Sequence, residues 1–326
     1  MRSFLLILMS TLLMGSQTVK IATYNVENLF DLERSGNEYV EYIPNTSWQW
    51  NKKNYKKKLQ NLSQVIKGID ADVIALQEIE SERALKDLKA QLSRDGLYYK
   101  YYAIAKAKNT TVKVALLSKL PITYAKEISV SSHRGYRNIL EAKLNINSKP
   151  LYLFVNHWKA KSGAESRRIV SAKVLKKRVE ELEGEEIVLL GDFNSHYEEN
   201  KTFIRKRKLN DTNGKTGIND ILKTSPSYQD EKDSYYNLWY ETKESRRWSH
   251  KYKKNRHALD NILISKSLQD SKGIEYVKGS FDRYYKKYLL KRKAPYRWQR
   301  SRTKPPFHTG KGYSDHFAIF AEFKVN

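Results

Sequence analysis

The sequence predicts an α/β fold in a single domain, on three observations. Short apolar runs of strand length alternate with longer stretches whose apolar residues recur at helical spacing. Polar and ionisable residues recur where those apolar runs end or begin, which is where sites sit in open α/β folds. No internal repeat and no linker composition divides the 326 residues, a length that can bury a sizeable core.

Taken in order, Met1 to Ser16 reads as a signal peptide: one arginine, a mostly apolar run from Phe4 to Met14, then Gly15 and Ser16. The run is too short for a permanent membrane span. The expected organisation is therefore a signal peptide over 1–16 and a catalytic domain over 17–326, in a periplasmic or secreted bacterial protein without a stable membrane anchor. A strand from Val19 to Tyr24 delivers Asn25, Glu27 and Asn28 at its end. Tyr55 to Ile69 places Leu59, Leu62, Val65, Ile66 and Ile69 on one helical face with lysines opposite. The strand Val73 to Glu78 ends on a carboxylate, and Glu82 to Asp95 is a second amphipathic helix.

Strands are expected at Tyr99 to Ala105, Val112 to Ser118 and Asn138 to Leu144, the last preceded by Arg134-Gly135-Tyr136-Arg137. The strand Leu151 to Val155 leads into Asn156-His157-Trp158-Lys159-Ala160-Lys161. A histidine there is a candidate acid, base or phosphate contact. The helix Ala164 to Glu183 carries Arg167 and Arg168 near its start, where the dipole disfavours cations and a bound anion would compensate. Ile187 to Leu190 then runs into Gly191, read as a turn presenting Asp192 and Asn194. A loop-rich region follows to about Ser245. Asp260 lies inside the largely apolar strand Ala258 to Ile264, so it must be paired or hydrogen-bonded. Asp315 and His316 enter the last strand, Phe317 to Phe323.

Charge narrows the partners. Lys and Arg number 61 against 36 Asp and Glu, a net charge of +25, which predicts attraction to a polyanion, nucleic acid ahead of an anionic membrane. Phe281 to Lys311 holds eleven Lys or Arg, one acid and seven aromatics, the composition of a nucleic-acid contact. With no cysteine there is no disulfide framework, thiolate metal site or cysteine nucleophile. Any metal must be held by carboxylate, amide, imidazole or water, favouring Mg²⁺, Mn²⁺ or Ca²⁺ over zinc.

If the strand ends converge, Asn25, Glu27, Glu78, His157, Asp192, Asn194, Asp260, Asp315 and His316 form one site suited to phosphodiester hydrolysis. Carboxylates such as Glu78 hold a hard cation, amides orient the phosphate, and a base and an acid serve water and leaving oxygen. Asp260 would fix a histidine tautomer.

At this point TYNVENLF (Thr23 to Phe30), ALQEIE (Ala75 to Glu80), GDFN (Gly191 to Asn194), LDNILIS (Leu259 to Ser265) and YSDH (Tyr313 to His316) resemble, in order and spacing, the motifs of the endonuclease/exonuclease/phosphatase superfamily, the deoxyribonuclease I-like fold. NHWKAK, followed by a basic helix, is similar to its bacterial extracellular endonuclease branch. The resemblance implies a four-layer α/β sandwich of two mixed sheets with helices outside. It implies Glu78 as the principal Mg²⁺ ligand, assisted by Asn25, Glu27 and Asp315. Asp192 would orient or activate water, Asn194 would hold phosphate or water, and His157 and His316, the latter paired with Asp260, would flank the scissile phosphate. Arg137, Lys159, Lys161, Arg167 and Arg168 would contact substrate. One departure stands out: the stretch expected to supply a supporting Glu to His157, Thr110 to Leu117, has no acid. The expected function is a monomeric, metal-dependent endonuclease of weak sequence preference acting on DNA, and on RNA as a further substrate, with no obligate protein partner. The alternatives are a phospholipid or inositol-phosphate phosphoesterase, docking through Trp48, Trp50 and Trp298, and a binder that has lost its chemistry.

Overall fold

The computed structural model describes residues 17–108, 110–227 and 234–325. The expected signal peptide, Met1 to Ser16, lies outside the described residues. In chain order the first half runs β1 (Gln17–Leu29), α1 (Lys52–Ile69), β2 (Val73–Ile79), α2 (Glu82–Arg94), β3 (Tyr101–Ile104), β4 (Lys113–Ser118), β5 (Ile122–Ile128), β6 (Ile139–Ile146), β7 (Lys149–His157), α3 (Glu165–Glu180) and β8 (Ile187–Asp192). The second half is more broken: α4 (Glu199–Thr202), β9 (Thr224–Ser225), β10 (Tyr235–Asn237), β11 (His250–Tyr252), β12 (Asn255–His257), β13 (Asp260–Ile264), β14 (Ile274–Tyr276), β15 (Asp282–Arg283), β16 (Leu290–Lys291), β17 (Ala294–Pro295) and β18 (Ile319–Val325).

Two mixed sheets result. One is ordered β14-β18-β1-β2-β4-β3, with β15 also on β18; the other is β5-β6-β7-β8-β13-β10-β9. In the first, β1 and β2 are parallel and bridged by α1; in the second, β7 and β8 are parallel and bridged by α3. Parallel neighbours require such a crossover.

Three apolar clusters define the layers. Val19, Ile21, Val73 and Leu116 of the first sheet meet Leu153, Val155, Leu190 and Ile262 of the second. The opposite face of the first sheet packs Ala22, Tyr24 and Leu76 on Leu62, Ile66 and Leu88 of α1 and α2. Phe154 and Leu189 pack on Ala172, Leu175 and Val179 of α3. Both faces of each central strand are therefore covered, which is why those strands read as continuous apolar runs. The order is helix, sheet, sheet, helix.

Several local expectations are corrected. β1 does not stop at Tyr24: Asn25 pairs with Gln77 and Leu29 with Ile79, so Val26 to Asn28 bulge out opposite Glu78. Gly191 is no turn but a strand residue between Asn156 and Asn261. At its φ of 130° an added Cβ would stand 2.1 Å from the Asn156 carbonyl oxygen, so the neighbouring strand demands glycine there. β5 leaves no periodic signal in the sequence, because it is an edge strand with exposed side chains and lacks an apolar face. In the basic segment Phe281, Tyr284 and Trp298 are buried and anchor the segment to the core, as does the cation Arg283, while Tyr285 is 42% exposed beside the exposed Lys286 and Lys287. Trp50 is likewise fully buried, which removes Trp50 and Trp298 as membrane-docking groups. No helix among the described residues is long and apolar enough to cross a membrane.

Candidate active site

Strand direction gathers the site. β1, β2, β7 and β8 point their C-terminal ends to one rim of the sandwich, while β18 and β13, antiparallel to β1 and β8, begin there. Asn25, Glu78, His157 and Asp192 thus arrive from strand ends, and Asp260, Asp315 and His316 from strand starts. Glu27, Asn28, Glu78 and Asn194 all adopt positive φ, between 48° and 69°. Non-glycine residues in that region are uncommon and cluster at functional sites, because they turn side chains out of the regular pleat.

Asp192 is the hub. Its Oδ2 accepts from Asn25 Nδ2 at 3.0 Å and lies 3.7 Å from His157 Nε2 and 4.0 Å from His316 Nε2; its Oδ1 accepts from the Asn194 amide at 2.8 Å. The second Asn25 contact, Nδ2 to Glu78 Oε1 at 3.2 Å, and the Asn28 amide on Glu78 Oε2 at 3.0 Å hold Glu78 in place. His157 Nε2 is 3.8 Å from Glu78. His316 Nδ1 bonds Asp260 Oδ2 at 2.7 Å, and Ser314 Oγ, anchored on the Asn25 carbonyl, receives the His316 amide. Asn194 Nδ2 donates to the Trp158 carbonyl, which also accepts from Arg137.

The two histidines are opposites electrostatically. Burial, then Arg137 and His316, push His157 well below the ordinary imidazole range, so it is neutral. Its Nδ1 has no partner among the described residues, in keeping with the missing acid at Thr110 to Leu117. Burial alone would discharge His316 as well, but Asp260, Asp192 and Asp315 together hold it well above that range as a cation. Burial raises Asp192 to about 7 against the pull of His316. Environments that drive paired groups apart in this way mark acid and base assignments.

Burial and the neighbouring Asp315 raise Glu78. Asp315 itself is penalised by burial, yet His316, Arg297 and other cations outweigh this and lower it. Both carboxylates keep a fifth to a quarter of their side chains exposed. Two such carboxylates, with Asp315 raising the cost of ionising Glu78, fit a hard divalent cation. Glu78 and Asp315 are the residues that would hold it. His316 also has carboxylates and a histidine clustered about it, with Asp192, Asp260 and, separately, His250 and Asp315 presenting ligand atoms within 4.8 Å of one another.

Some expected members lie elsewhere. Glu27 has both oxygens engaged, one by the Arg297 guanidinium and the other by the Trp298 amide at 2.7 Å, so it clamps the basic segment instead of offering an open ligand. Arg168 is fully buried, pairing with Glu165 and donating to the carbonyls of Lys159, Ala160 and Gly163, so its guanidinium is spent on the loop after His157. Lys161 is mostly covered and pairs with buried Glu199. Lys159 lies over the Tyr136 ring beside Gly135, and Arg167 is exposed. Arg137, bonded to the Trp158 carbonyl, is close enough for its charge to act on Glu78 and His157.

Two residues escaped the sequence reading. Arg297 pairs with Glu27 and lies 3.5 Å from Asp315, partners too distant in sequence to leave a local signal. Lys58 is buried and donates to the carbonyls of Glu27 and Tyr313. Its signal was available, because Lys58 falls on the apolar stripe of α1 between Tyr55 and Leu62.

A rim of carboxylates and unlike histidines on this sandwich defines a phosphoester hydrolase. Residues 20–325 match the model of the Endonuclease/Exonuclease/phosphatase family, and the chain belongs to that family. No curated protein matches the chain in sequence. Among solved structures it is similar to D. rerio TDP2 complexed with single strand DNA product (15% identity, 94% of this chain and 98% of the other, TM-score 0.59). It is also similar to an endonuclease/exonuclease/phosphatase family protein from Bacteroides thetaiotaomicron (14%, 96% and 99%, 0.57). A third is the mannosyl-6-phosphatase of that organism (13%, 94% and 99%, 0.54). Members of this family use divalent metals.

Proposed function

We propose that the protein is a divalent-metal-dependent endonuclease that hydrolyses DNA, with RNA as a further substrate, and that it acts after export. The observation that carries the reading is Asp192 set between a neutral His157 and a cationic His316. The net charge of +25 and the DNA product held by a structural neighbour support nucleic acid over a sugar phosphate. Burial of Trp50 and Trp298 counts against a membrane-bound substrate. Export rests on the pattern of Met1 to Ser16.

When bound, a divalent cation at Glu78 and Asp315 would neutralise charge on the phosphoryl oxygens. Asp192, raised to about 7, is poised to take a proton from the attacking water near neutral pH. Asn25 and the Asn194 amide fix the orientation of its carboxylate. Neutral His157 presents Nε2 toward the same space, and His316, held by Asp260, offers an Nε2 proton to developing negative charge. Arg137 reaches the same pocket as a phosphate contact. Nicking of supercoiled plasmid by the chain from Gln17 onward, with Mg²⁺ or Mn²⁺, with chelator, and with Asp192→Ala, tests the proposal. Cleavage lost with chelator and with the variant is the expected result; persistence in either arm overturns it.

A further inference from the structure

Beside the catalytic rim lies a second cleft, of about 410 Å³, between the loop after β1 and the loops that precede β4 and β6. Arg137 links the two, since it lines this cleft and donates to the Trp158 carbonyl that also holds Asn194 of the site. Lys108 and Arg134 add two exposed cations, and among the described residues no carboxylate pairs with either. The single acid of the lining, Glu38, is turned back into its own loop, where its oxygens accept the amides of Ser35 and Gly36. The cleft is therefore a concentrated positive pocket.

One wall is aromatic and fixed. Tyr39 is 36% exposed, and its hydroxyl faces the Arg137 guanidinium. Its ring lies 5.3 Å from buried Phe30, which stacks in turn on Tyr42 at 4.5 Å; Tyr42 meets Trp50 edge-on at 4.9 Å. The ring is thus braced on one side by buried aromatics and open on the other, as a stacking platform is. A cationic cleft joined to a stacking surface, sized for a small ligand, is what one nucleotide of a single strand requires.

We propose that this cleft is the subsite for the nucleotide adjacent to the scissile phosphate, with its own phosphate on Arg134 and Lys108 and its base or sugar against Tyr39. The assignment rests on the endonuclease reading and deepens it. The substrate is then a polynucleotide, and a phosphomonoester or a small diester leaves the cleft empty. Specificity for polymer arises from residues that touch neither the reacting phosphorus nor the metal ligands.

Two measurements on Tyr39→Ala and on Lys108→Gln/Arg134→Gln test it. The first is equilibrium binding of a short labelled single-stranded oligonucleotide in chelator, which needs no turnover. Each variant is expected to bind about tenfold more weakly. The double variant is also expected to flatten the salt dependence by roughly one unit of slope, at about 0.7 per phosphate contact on single strands. The second compares kcat/KM on that oligonucleotide and on bis(p-nitrophenyl) phosphate with Mg²⁺. The loss is expected on the first substrate only. Wild-type binding in both variants, or equal losses on both substrates, overturns the subsite. Oligonucleotide binding that depends on the cleft, with no hydrolysis of either substrate by the wild-type protein, overturns the endonuclease reading and leaves the cleft a nucleotide-binding site with no scissile phosphate beside it.

Discussion

Asp260→Asn probes the site through a residue that touches no substrate. Asp260 is fully buried, and its bond to His316 Nδ1 is 2.7 Å long. A hydrogen bond to a charged group contributes about 1.5–3 kcal/mol, and about 1.4 kcal/mol is tenfold in rate, so its loss alone removes roughly ten- to a hundredfold. An asparagine can also turn an N–H toward Nδ1 and impose the wrong tautomer, a fault that costs about 10⁴ in a protease triad. The expected fall in kcat/KM lies between these limits, at about 10²- to 10⁴-fold. Its pH dependence has a definite sign. Burial opposes the His316 charge, but Asp260, with Asp192 and Asp315, raises the folded pKa well above the ordinary value. The stability this pair contributes is complete below about pH 6.5 and is lost as pH rises through the folded pKa. The rate, if it needs the cation, falls over the same alkaline range, and in the variant that fall moves to lower pH. The assay is kcat/KM on an oligonucleotide across pH at saturating Mg²⁺, with thermal unfolding in parallel. A loss below about threefold with an unmoved alkaline limb refutes the reasoning.

Four further variants carry expected outcomes. Because burial raises Asp192 to about 7, activity should climb with pH through that value, and Asp192→Asn should abolish turnover. The raised carboxyl makes stability fall between about pH 4 and 7, so that variant should unfold about 3 °C or more higher than wild type at neutral pH in chelator. Glu78→Gln should keep the fold but lose the rise in Tm that Mg²⁺ gives the wild type, as read by thermal shift. Gly191→Ala should fail to give a cooperative thermal transition, since its Cβ would stand 2.1 Å from a backbone oxygen of β7. Changing Lys291, Arg292 and Lys293, exposed at the end of β16 and in its turn to β17, to Gln should lower the log–log salt slope of duplex binding by about 2 to 3 units, measured by titration at several salt concentrations.

What could be read in the sequence was what is local. The apolar runs of β2, β7 and β8 and the stripes of α1 and α2 are set by neighbours a few residues away, and their bounds differ from expectation by a few residues. Candidate site residues were conspicuous because polar groups at the ends of buried strands have few structural reasons to be there. Distant pairing was not legible. Glu27 looked like any carboxylate at a strand end until Arg297, 270 positions on, took one of its oxygens. Arg168 looked like a surface cation on a basic helix, and only the carbonyl-lined loop after His157 explains its burial. The burial of Phe281, Tyr284 and Trp298 in the basic segment was hidden for the same reason, because interleaving with lysines does not say which side chains turn inward.

The pairing of β1 with β18 joins the first strand of the fold to the last. Asn25 lies near the end of one and His316 just before the other, and Asp192 reaches them from the opposite sheet. No contiguous part of the chain therefore carries a working centre. A nascent or clipped chain that has not delivered β18 holds Asp192 and Glu78 without the imidazolium that completes them. The candidate centre is complete only where the two extremities of the fold meet.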